Sequence, residues 1–108
     1  MDSSSHNSSP ADLAIPPASF EFLVMSLRAQ AEIQLGLVHF GPEEDRPTPK
    51  LPLARHAIDM LGMLAEKTRG NLSLEEQRLI ENCVTELRFL FVQQSSRLAA
   101  AGSASAES

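Results

Sequence analysis

The residues with chemical potential are three histidines, one cysteine, scattered carboxylates and one cationic turn. His39 stands upstream of Glu43, Glu44 and Asp45, and His56 is three residues before Asp59, a spacing that places both on one helix face. A histidine with carboxylates can hold a divalent metal, but a helical di-metal centre needs paired Glu-x-x-His motifs, and the sequence has none. His6 stands alone in a serine-rich stretch. Cys83 would need a base to act as a nucleophile, yet it sits mid-stripe between Ile80 and Leu87, where a free thiol behaves as a small apolar group. No Gly-x-Ser-x-Gly elbow, glycine-rich phosphate loop or multi-cysteine zinc pattern occurs. Lys67, Thr68 and Asn71, with Arg88, form the best candidate for an anion or small ligand. Capping explains Gly70, Asn71 and Ser73 without one. The expectation is therefore a non-enzymatic chain with no metal and no cofactor.

The elements that carry these residues read as helices. The 108 residues hold 43% apolar and 21% charged side chains, with no Trp, no Tyr and one Cys, which allows one domain. Residues 1–17 are rich in Ser and Pro, and residues 99–108 are low in complexity; both read as disordered tails, although Ala99–Ala101 could extend a helix by a turn. Between them lies a helical domain over 18–98. Its fold class is all-α, a long first helix plus an antiparallel αα-hairpin.

Ser19 is placed as the N-cap of the first helix, which is expected over about 19–38. Phe20, Leu23, Val24, Leu27, Ala31 and Leu35 form a core stripe, and Phe22, Met25, Ala29, Ile33 and Leu37 a second one nearly opposite. A proline-rich linker over 39–52 follows, with Pro42, Pro47 and Pro49. It can cross one face of the domain or reach a neighbouring subunit. The second helix is expected over 53–69, with Leu53, Ala54, Ala57, Ile58, Leu61, Leu64 and Ala65 inward. The third, over 74–98, opens on a Ser73–Glu76 capping box and turns Leu79, Ile80, Cys83, Val84, Leu87, Leu90 and Phe91 inward. Only Asn71 and Leu72 separate the Gly70 stop from Ser73, so the two helices should lie antiparallel, with an ion pair from Asp59 to Arg88.

Several of these residues carry a resemblance. Ile58-Asp59-Met60-Leu61, Leu64 through Leu72, Glu75-Glu76, and Leu87-Arg88-Phe89 with Val92 resemble a small bacterial family catalogued as domain of unknown function 1844. Phe20, Leu27, Gln30-Ala31 and Leu35-Gly36 look like that family's first helix. The likeness covers about residues 19–93. It implies a small helical bacterial protein without an established activity, and supplies no active-site residues. Where the family commonly has a Tyr near the end of the third helix, this chain has Phe91, so no phenol chemistry is assigned there.

Charge and hydropathy narrow the partners. The net charge is −5, and the nine basic residues are spread from Arg28 to Arg97, which argues against nucleic acid. Apolar runs such as Phe22–Met25 fall far short of the ~20 residues that span a membrane. The acidic, serine-rich start does not look like a secretory signal, so a cytoplasmic location is expected. The two-faced first helix is the strongest functional signal, because a helix apolar on two faces must be covered on both. It points to self-association, most simply as a homodimer. The interface candidates are Phe20, Phe22, Leu23, Met25 and Ile33, with Phe89 and Val92. A hetero-partner adaptor using the same stripe or the acidic linker, and a small-ligand protein at the Lys67–Asn71 turn, are the alternatives.

Overall fold

In the computed structural model, which describes residues 15–107 and the side chains of 15–102, three α-helices pack side by side. They are α1 (Phe20–Gln34), α2 (Leu51–Lys67) and α3 (Leu74–Glu107), with a short 3-10 turn at Glu43–Asp45 between the first two. No strand occurs among the described residues.

Each helix start follows from local chemistry. The Ser19 hydroxyl accepts from the Phe22 amide at 3.0 Å, satisfying one of the donors that a helix N-terminus leaves free. Ser73 and Glu76 cap each other, the Glu76 amide on the Ser73 hydroxyl at 3.1 Å and the Ser73 amide on the Glu76 carboxylate at 2.9 Å. Pro52 falls in the first turn of α2, where its missing N–H costs no hydrogen bond.

The boundaries differ from the periodicity at both ends of α2, which stops at Lys67 and not Arg69, and at the ends of the other two helices. The first helix stops at Gln34, not near Val38, because Gly36 adopts φ +80° and the Leu35 and Gly36 amides turn back onto Ala31 and Ile33. α2 begins at Leu51, two residues before the expected Leu53. α3 runs on to Glu107 past the expected end at 98, carried by the strong helix propensity of Ala99–Ala101. The expected tail over 99–108 is therefore helical through Glu107, while the Ser/Pro-rich stretch 1–14 lies outside the described residues.

The core sits where the three helices meet. Val24, Ala31 and Leu35 of the first helix and its cap, Ala54, Ala57, Ile58 and Leu61 of α2, and Ile80, Cys83, Val84 and Leu87 of α3 are buried. Phe20, Leu27, Leu51, Leu64, Leu90 and Phe91 pack against this cluster half-buried. Two expected core positions are instead exposed: Leu23 and Leu53 both lie on the flank of the bundle. Each sits about 100° round its helix from buried neighbours, too far to follow them inward.

The relative direction of the helices is fixed by bonds between them. Arg28 reaches Cys83 and Glu86, and the Gln94 amide group donates to the Leu35 carbonyl at 2.8 Å. These sequence separations of 55, 58 and 59 are nearly constant, so α1 and α3 run parallel. The Lys50 amide bonds the Gln34 carbonyl at 2.7 Å, bringing the start of α2 back to the end of α1.

Candidate surface of α1 and the residues around it

At 100° per residue, the buried positions 24, 31 and 35 of the first helix share one face, and Phe22, Met25, Ala29 and Ile33 fall on the opposite one. Phe22 is 44% exposed, Met25 43% and Ile33 52%, and neither α2 nor α3 covers them. Leu23 is exposed beside them. Phe20, expected with this group, is instead packed half-buried against the core, since it shares the face of Val24 and Ala31. On α3, Phe89 and Val92 point away from the buried Cys83–Leu87 face and are exposed.

Between the α1 stripe and Phe89 lies an ion cluster. The Arg28 guanidinium donates to Glu32 at 3.1 Å, to Glu86 at 2.7 Å and to the Cys83 sulfur at 3.6 Å. The thiol contact, then the two carboxylates, hold Arg28 more firmly protonated than a free arginine, against the opposing effect of its burial. Sequence spacing shows Arg28 and Glu32 as neighbours on a charged ridge, but not their long-range partners Cys83 and Glu86. Cys83 itself is buried, with Arg28 as a polar contact.

The candidate ligand residues do not come together. Thr68 spends its hydroxyl on the Leu64 carbonyl at 2.7 Å, and the Asn71 amide on the Thr68 carbonyl at 2.9 Å, so the turn satisfies itself. Lys67 is exposed at the end of α2. Arg88 lies over Gly62 in the groove between α2 and α3, where a Cβ on Gly62 would sit 3.2 Å from its guanidinium; that groove is also lined by Arg69 and Leu72, but not by Lys67, Thr68 or Asn71. The expected Asp59–Arg88 ion pair is absent. Asp59 instead lies 4.0 Å from Arg55, one turn earlier on its own helix. Among the described residues no three His, Cys, Asp or Glu side chains gather as a metal site, and no helix is long and apolar enough to cross a membrane.

Several exposed apolar residues, Leu74 among them, fall outside the surface features expected from the sequence. Phe40 is 85% exposed on the loop after α1, and Leu53, Met60 and Met63 are exposed along α2. Met60 and Met63 could have been found from the helical wheel of α2, where Met63 falls opposite Ala54 and Leu61 and Met60 on the flank. Phe40 carries no such signal, because loop sequence has no period.

A family model described as Domain of unknown function (DUF1844) matches residues 17–93, which takes in α1, α2 and the first 20 residues of α3. No curated protein and no solved structure matches the chain.

Proposed function

From the premise that the chain belongs to the DUF1844 family, whose description assigns no activity, we propose a cytoplasmic, non-enzymatic helical module that self-associates through the outer stripe of α1. The observation that carries this reading is the exposure of Phe22, Leu23, Met25 and Ile33 on a helix whose other face is already filled by its own bundle. Fully burying a large apolar side chain is worth about 1.5–3 kcal/mol, so each half-exposed one has roughly half of that still to gain. A twofold contact buries every such group twice, once from each copy. Ala29, at the middle of the stripe, leaves room for two helices to approach closely. Phe89 and Val92 extend the apolar area beyond the Arg28 cluster.

The chain's net charge of −5 and dispersed basic residues disfavour nucleic acid as the partner. An interfacial membrane role fits poorly with a helix that has one Arg and no Lys. The test is light scattering on Phe22→Glu and Ile33→Glu beside Met63→Glu, an equally exposed position on α2. The two α1 variants are expected to halve the mass of the native assembly, and Met63→Glu to leave it unchanged. Equal masses for all three would reject α1 as the seam.

A further inference from the structure

The loop between α1 and the 3-10 turn holds its most hydrophobic residue out in solvent. Phe40 is 85% exposed, the largest value among the exposed apolar side chains. The loop around it is nonetheless closed on itself. Arg46 bonds the Gly36 carbonyl at 2.5 Å and grips Glu43 with two bonds at 2.7 and 3.1 Å. The His39 ring bonds the Pro42 carbonyl at 3.0 Å. A loop fixed in this way lowers the backbone ordering cost of docking Phe40, leaving mainly that of its side chain. Glu44 and Asp45 follow it, exposed, and neither has an ion-pair partner among the described residues.

A groove on the outer side of α2 and α3 has the converse pattern. It is an open groove of about 440 Å³ lined by Arg55, Ile58, Asp59, Arg88, Phe91 and Val92, with buried Ile58 at its base and exposed Val92 at its edge. Arg88 has no ion-pair partner among the described residues, and Arg55 has only Asp59 at 4.0 Å. The groove therefore offers an apolar slot beside two guanidinium groups of which only one is partly neutralised.

We infer that the Phe40–Asp45 loop of one copy docks into the α2–α3 groove of a second copy, Phe40 against Ile58, Phe91 and Val92 and Glu44 and Asp45 toward Arg55 and Arg88. The occupant is a second copy because the loop carries what complements this lining, an exposed aromatic side chain for the apolar slot and two carboxylates without ion-pair partners among the described residues for the two guanidinium groups. Reciprocal exchange about a twofold axis closes the contact as a dimer, where a one-way exchange would propagate into a fibre. The inference rests on the self-association reading only in requiring that copies meet, and it adds a second contact to the α1 seam.

Mixing Phe40→Cys chains with Val92→Cys chains under mild oxidation tests it, since a mixed disulfide forms only between copies. Buried Cys83 does not compete. The mixed dimer is expected at least tenfold faster than from Phe40→Cys with Met63→Cys, an exposed position off the groove. Adding Glu44→Arg to the first chain should slow the reaction, and adding Arg88→Glu to the second should restore it. Cross-linking at the control rate, while the native chain still weighs as a dimer, overturns the docking and leaves the α1 seam standing. Preferential cross-linking that persists with Phe22→Glu in both chains upholds the docking as a contact that does not need the α1 seam.

Discussion

Leu61 and Leu87 are fully buried on facing helices, each surrounded by other core side chains. Truncating either removes apolar contacts and leaves a cavity that a three-helix core cannot fully close. Leu87→Ala should therefore lower unfolding stability by about 2–5 kcal/mol in urea titration. Gly36 and Gly70 separate two effects at the same scale. Both have positive φ, +80° and +87°, which L side chains rarely adopt. A Cβ at Gly36 would also meet the Pro49 ring at 2.9 Å, whereas Gly70 faces open space. Gly70→Ala should cost about 1 kcal/mol from backbone strain alone. Gly36→Ala should cost clearly more, read by the same titration, and an equal cost would mean that the Pro49 contact yields freely.

The connection between α1 and α2 carries a pH-sensitive contact. Its clamp is the Glu43–Arg46 pair, and the hydrogen bond from Arg46 holds the Glu43 carboxyl below its usual 4.5. The folded carboxyl is thus the stronger acid, so the clamp contributes fully above pH 4.5 and is lost as pH falls through the depressed value. The Arg46 side-chain N–H resonance should shift with a midpoint below 4.5; a midpoint at or above 4.5 would show that the clamp does not form. The elements also show what the sequence could convey. Caps at Ser19, Ser73 and Glu76, the Gly70 turn and the α3 stripe were legible because each depends on a few neighbouring residues. The end of α1 was not, because apolar Leu37 and Val38 continue the period past the left-handed Gly36 that breaks the helix. The Arg28 links to Cys83 and Glu86 span 55 and 58 residues, a register that no local pattern encodes.

For the whole molecule, the question is why so small a bundle leaves so much apolar surface in water. A core of this size is marginal alone, since small domains bury only about 60% of their unfolded surface. Under the proposed self-association, the outer stripe of α1 and the exposed Phe40 and Phe89 would share one explanation, contact between copies. That stripe was visible in the sequence as a second apolar period on one helix, but Phe40 and the Arg88 groove appear only once the chain is folded. If assembly contributes to stability, the melting temperature of the native chain should rise with protein concentration and that of Phe22→Glu should not. The most direct measurement is sedimentation equilibrium of the native chain over a wide concentration range. A species of twice 11.7 kDa, dissociating toward 11.7 kDa only on dilution, is the predicted result. A single 11.7 kDa species throughout, up to high micromolar concentration, would contradict the account.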